Sequence, residues 1–181
     1  MGYALFAQRK VCLTAQLNMV QLQQTQRSNE QYLLATQTLS LQQQLSSMQS
    51  SQSLELAEMY ELLSSVDSKG FSKDFMEKYK SDKDAYGKEA QNIVNSNENT
   101  EAEELRTTIN NKIKELEAVQ KAELDEINRK IYLVSVKENA IEMQVKSLDT
   151  QVSAIQKQLE AVEEAEGSAI DRATPKFKGV G

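Results

Sequence analysis

Asp82, Lys83, Asp84, Ala85, Tyr86 and Gly87 are spaced like the opening of a calcium-binding loop, with acids at its first and third positions and glycine at its sixth. The remainder of the loop is missing. Its fifth position is Tyr86, and its twelfth, which must supply a bidentate carboxylate, is Ile93. The chain has no histidine, which removes the imidazole base, the Ser/His and Cys/His couples and imidazole metal ligands. Cys12 is the one cysteine, and as a small apolar residue in a helical segment it is read as packing rather than as a nucleophile. Gly70 and Gly87 stand singly, so no glycine-rich phosphate loop exists. Acid pairs such as Glu103 with Glu104 and Glu163 with Glu164 belong to solvated helix faces, with nothing apolar around them to raise a pKa for acid/base work. No catalytic, cofactor-binding or metal-binding residue is assigned, and a non-enzymatic protein without cofactor is expected.

The elements that would position any side chain are helices. With six glycines and one proline in 181 residues, a many-stranded fold lacks its turns. Between Ala4 and Val66 there is neither residue, and apolar side chains recur at Leu13, Leu17 and Val20, then Leu34, Leu41, Leu45 and Met48, then Met59 and Leu62, in steps of three and four that mark one helix face. A second set, Leu22, Leu33, Leu39, Leu54, Leu56 and Leu63, lies off that line. A helix of about 60 residues is roughly 90 Å long and cannot bury its own apolar surface. Val66 to Gly70 is a break, and Phe71, Phe75 and Tyr79, at steps of four, form the aromatic face of a short helix and a small tip core. Asn92 to Thr100 is amide-rich and reads as a loop, and Thr100 with Glu103 has capping-box spacing for a following helix.

That last helix carries Ile109, Ile113, Leu116 and Leu124, then a seam of Ile127, Ile131, Val134, Ile141, Val145, Leu148, Val152, Ile155, Leu159 and Val162. From Val134 the three-four alternation is strict once Glu138 fills the skipped position, and an extra four-residue step at Gln120 marks a stutter. Gly167 weakens the helix and Pro175 ends it, leaving a short basic tail that contains Phe177. The expected fold is all-α: an elongated antiparallel helical hairpin or coiled coil of two long helices with a short helical insert at the tip. Its segments are residues 1–66, 67–100, 101–170 and 171–181.

Charge divides the chain unevenly. Residues 1–54 hold three bases and one acid, Glu30, with thirteen glutamines, whereas residues 55–181 hold 18 bases and 26 acids. An amide-covered helix can pack neighbours on several sides without stranding ions in an interface. Leu13, Leu17, Val20, Leu34, Leu41, Leu45 and Met48 are therefore expected to form an assembly interface with other copies of the chain, and the seam from Ile127 to Val162 to pair within one chain. The net charge of −6 and the lack of a basic stripe make nucleic acid a poor partner. No stretch approaches the roughly 20 apolar residues of a membrane span. Tyr3 to Ala7 is too short for the apolar core of a cleavable secretory signal, which leaves the cytoplasm or export by a signal-independent route.

A long amide-rich helix, a short insert and a long heptad helix resemble, in layout, the filament subunits of the type III secretion and flagellin kind. The resemblance covers the chain and implies a structural protein that polymerises through its terminal helices, with a possible secretion-system or assembly partner. A coiled-coil adaptor or secretion stalk, and a phage or particle scaffold, fit the same layout.

Overall fold

A computed structural model describes residues 2–173. Among the described residues the chain is all-α apart from one two-stranded hairpin, and two of its helices are long: α1, Gly2–Ser64, and α4, Ala102–Ala173. Between them lie strands β1, Val66–Asp67, and β2, Gly70–Phe71, then α2, Lys73–Ser81, a 3-10 turn, Lys83–Ala85, and α3, Lys88–Ser96. The expected tail, from 174 onward and including Pro175 and Phe177, lies outside the described residues; Asp171 to Ala173 belong to α4, which runs through Gly167 without interruption.

α1 tolerates many of its hydroxyl residues because the helix itself satisfies several of them. Thr14 donates to the carbonyl of Lys10 at 2.9 Å, Thr25 to Gln21 at 3.0 Å and Thr36 to Tyr32 at 2.9 Å. α4 adds Glu126 to Lys130 and Glu142 to Lys146 pairs at 2.7 and 2.6 Å, each with the acid four residues toward the N-terminus, the order that supports a helix.

The compact units do not follow the four expected segments. One comprises Met1–Thr38 with Val134–Gly181 and the other Leu39–Leu133. The physical reason is that a long helix finds its tertiary partners on another helix rather than along itself, so each unit takes a piece of both. In the first unit Lys10 meets Glu163 at 2.7 Å and Gln24 donates to Asp149, so position falls along α4 as it rises along α1. In the second, Gln52 donates to Glu123 at 3.0 Å and Tyr60 to Glu117 at 3.1 Å, in the same opposed order.

The second unit holds a mixed core. Met59, Leu62 and Val66 meet Phe75, Tyr79, Tyr86, Ala90, Ile93 and Val94 together with Leu105, Ile109 and Ile113. Val66 pairs with Phe71 and Asp67 with Gly70 in the antiparallel hairpin. Gly70 adopts φ of +111°, a conformation that side-chain-bearing residues avoid, and this lets a Ser68–Lys69 turn close. The Asp67 carboxylate accepts the Lys69 amide at 2.7 Å, and Arg106 of α4 donates to the Val66 carbonyl at 2.9 Å.

Two local expectations are corrected. Phe71 is not part of the aromatic helix: it sits in β2, and Ser72, extended at ψ of 151°, caps α2 by accepting the Phe75 amide at 3.2 Å. The stretch expected as a loop from Asn92 is helical to Ser96, because Ala90, Ile93 and Val94 present one buried face while the amides point away from it. Thr100 spends its hydroxyl on the Asn97 side chain at 3.3 Å, and α4 begins at Ala102.

Candidate functional site

Burial along α1 follows a heptad. In the first unit the covered or half-covered positions are Phe6, Lys10, Leu13, Leu17, Val20, Gln24, Arg27, Gln31, Leu34 and Thr38, and in the second, where Leu56, Glu58, Glu61 and Leu63 are half-covered beside it, the row runs through Leu41, Leu45, Met48, Gln52, Glu55, Met59 and Leu62. Steps of three and four alternate throughout each set. Along α4, Val134, Glu138, Ile141, Val145, Leu148, Val152, Ile155, Leu159 and Val162 are covered in the first unit, and Leu124, Ile127 and Ile131 in the second.

The seven α1 residues expected to face other copies are therefore the ones covered inside the chain. Leu13, Val20 and Leu41 are buried, and Leu17, Leu34, Leu45 and Met48 are half-buried. Leu13, Val20 and Leu41 thus lie in the interior of their units, while Leu17, Leu34, Leu45 and Met48 keep part of their surface. Lysine, arginine and glutamine within the covered row make it only partly apolar, and the Thr38 hydroxyl is buried without a hydrogen-bond partner.

Residues off that row take the outward positions. Within the first unit Leu5, Val11, Met19, Leu22, Tyr32 and Leu33 are between 59% and 73% exposed. Cys12, expected to pack, is exposed among them. Leu5, Cys12, Met19 and Leu33 are separated by multiples of seven, while Val11 and Tyr32 each precede such a position by one residue. At about 100° per residue these two sets lie about 130° to either side of the centre of the covered row, with Leu22 between them near 180°. In the second unit Leu39, Leu54 and Tyr60 are exposed as well. Leu22 and Leu33 stood out in the sequence as apolar residues off the main line; the sevenfold spacing from Leu5 was the signal that would have gathered the rest.

The outward face is electrostatically quiet. Glu30, the one acid before residue 55, is held by Arg27 at 2.6 Å. Lys10 is raised above its ordinary lysine pKa by its hydrogen bond to Glu163, with further help from that carboxylate's charge. A groove of about 400 Å³ is lined by Glu30, Leu33, Leu34, Lys137, Ala140 and Ile141.

Around Phe75 and Tyr79 the second unit gathers a ring cluster. Phe71 stacks on Phe75 at 5.4 Å, Phe75 on Tyr79 at 6.2 Å, and Tyr86 meets Phe75 edge-on at 5.6 Å. The aromatic spacing brought Phe71, Phe75 and Tyr79 together but left out Tyr86 and the α1, α3 and α4 side chains that enclose them. Lys78 reaches Glu61 at 2.6 Å and lies 5.8 Å from the centre of the Tyr86 ring; its pKa is raised by hydrogen bonding to Glu61 and then to Tyr86. Lys112 sits between Glu115 at 3.2 Å and Glu89 at 3.5 Å; burial alone would lower its pKa, but the two carboxylates raise it on balance. Asp82 and Asp84, the acids of the calcium-like run, are exposed, and the Tyr86 ring at its fifth position is turned into the core.

These surfaces offer packing and salt bridges, with no cluster of three or more metal-ligating side chains among the described residues. No described helix is long and apolar enough to cross a membrane. No family model matches the chain, nor does any curated protein or any solved structure.

Proposed function

We propose that this is a non-enzymatic structural protein that self-assembles, as the subunit of a filament, and that α1 and α4 pair as an antiparallel coiled coil within the chain while α1 also meets other copies. The observation that carries the proposal is the doubled apolar character of α1 between residues 5 and 34: one row is covered within its unit and a second stays exposed on the opposite side. Soluble monomers rarely leave contiguous apolar patches of more than a few hundred Å² uncovered, and larger ones mark interaction sites. The low acid content of residues 1–54 adds support, since copies can approach through this helix without opposing like charges. The layout it resembles, that of secretion-system and flagellin-type filaments, is consistent with the reading.

A coiled-coil adaptor is the second reading. It is favoured by the covering of Leu13, Val20 and Leu41 within the chain, which leaves each unit with an interior of its own. Light scattering across a hundredfold concentration range separates the two: a filament subunit grows in mass with concentration and shows filaments in negative stain, whereas an adaptor alone stays at fixed mass. Constant monomer mass throughout overturns self-assembly.

A further inference from the structure

We infer that the outward face of α1 in the unit of residues 1–38 and 134–181 pairs with the same face of a second copy, antiparallel, about a two-fold axis at Leu22. This rests on the self-assembly reading and names one of its contacts, since a two-fold contact closes on itself and a filament needs a second, different one. Leu5, Val11, Met19, Leu22, Tyr32 and Leu33 are all at least 59% exposed and share one side of the helix. Because that row keeps a period of seven, in phase with the covered row, the partner that follows it along its length is another helix.

Charge selects which helix. The face carries no unpaired acid, since Glu30 is bonded to Arg27, so it suits an equally neutral surface; its own copy supplies one. Size is sufficient too. Six such side chains bury roughly 100 Å² each, which exceeds the ~500 Å² apolar share of a standard interface of ~800 Å² per partner.

The register follows from the positions. A two-fold axis at Leu22 sets Leu22 on Leu22 of the second copy, and it brings Val11 level with its Leu33 and Cys12 level with its Tyr32, in these last two a smaller side chain with a larger one. Val11 of the second copy then lies level with the groove that Leu33 lines. A parallel in-register pair would bring Arg9 level with Arg9, which the antiparallel arrangement avoids.

The test uses the full chain. Sedimentation of wild type should show association, and the L22K/L33K variant should need at least tenfold higher concentration to associate, with helix content by circular dichroism unchanged. Under copper-phenanthroline oxidation, the Y32C variant should form covalent dimers through its native Cys12, while wild type and C12S/Y32C should not. Unchanged association of L22K/L33K overturns the contact and leaves self-assembly standing. A wild-type Cys12 dimer, or no cross-link in associated Y32C, overturns the antiparallel register. A wild type that never associates overturns both the contact and the reading beneath it.

Discussion

Gln120 donates its side-chain amide to the backbone carbonyl of Gln52 at 3.3 Å, and both residues are buried. Gln52 in turn gives its own amide to Glu123 at 3.0 Å. Gln120 is also where the four-residue steps from Leu116 and to Leu124 interrupt the heptad, so a polar bond stands where regular apolar packing slips phase.

The Gln52 carbonyl lies within a continuous helix, so Gln120 is a second donor to it. Replacing Gln120 with leucine is expected to change stability by less than about 1 kcal/mol, because apolar burial offsets the lost bond. Alanine, which leaves a gap, should cost about 1–2 kcal/mol. Urea unfolding of both variants checks the order; leucine costing more than alanine would contradict it.

Tyr79 in the ring cluster is the largest fully buried side chain among the described residues. Tyr79 is 2% exposed, and Tyr79→Ala should destabilise the chain by about 3–5 kcal/mol. Tyr79→Phe removes only the hydroxyl's bond to Asn95 at 3.3 Å and should cost about 1 kcal/mol. Thermal unfolding of the two proteins measures the gap; equal losses would mean that the hydroxyl, not the ring, matters.

The helices were legible in the sequence because long stretches free of glycine and proline with three-four apolar spacing leave little else to form. The strands were not, since two-residue strands carry no periodicity and depend on the positive φ of Gly70. α3 was hidden by its asparagines, which occupy the outward face of a helix whose buried face is only Ala90, Ile93 and Val94. For the candidate surface, the apolar positions of α1 were visible, but which row turns inward was not. Leu13 and Leu33 look alike in a sequence, and only the covering of the first and the exposure of the second distinguish them.

Glu58 accepts the backbone amide of Gly87 at 2.8 Å, which puts a carboxylate at the N-terminus of α3. Glu58→Ala should cost about 1–2 kcal/mol, and Glu58→Gln, which keeps an acceptor, less. A side chain at position 87 would land on the Glu58 carboxylate, so Gly87→Ala should displace that bond and approach the cost of Glu58→Ala. Chemical denaturation of these variants and of the Glu58→Ala/Gly87→Ala double variant tests the shared origin; additive losses in the double variant would refute it.

Alkaline pH should weaken the fold in a defined window. Tyr60 is raised by its hydrogen bond to Glu117, Lys78 by its bonds to Glu61 and Tyr86, and Lys10 by its bond to Glu163. A group raised in the folded state stabilises fully below its unfolded pKa, near 10 for tyrosine and about 10.4 for lysine, and that contribution is lost as pH rises through the folded value. Glu126, lowered by its hydrogen bond to Lys130, acts oppositely: its contribution is present above the ordinary glutamate range and lost in acid. The melting temperature should therefore fall above about pH 10, and Tyr60→Phe should fall less steeply there than wild type. Identical slopes would show that the Glu117 bond is not felt.

The opposed order of partners sets the order of folding. Lys78 and Glu61 are 17 residues apart, Tyr60 and Glu117 57, and Gln24 and Asp149 125. Loop-closure entropy rises with separation, so the nearest contacts form at least cost and each closed pair shortens the loop that the next must close. The ring cluster around Phe75 is thus the natural nucleus of the second unit. Refolding rates should respond to changes at Met59 or Tyr79, while changes at Leu13 or Val162 act mainly on unfolding.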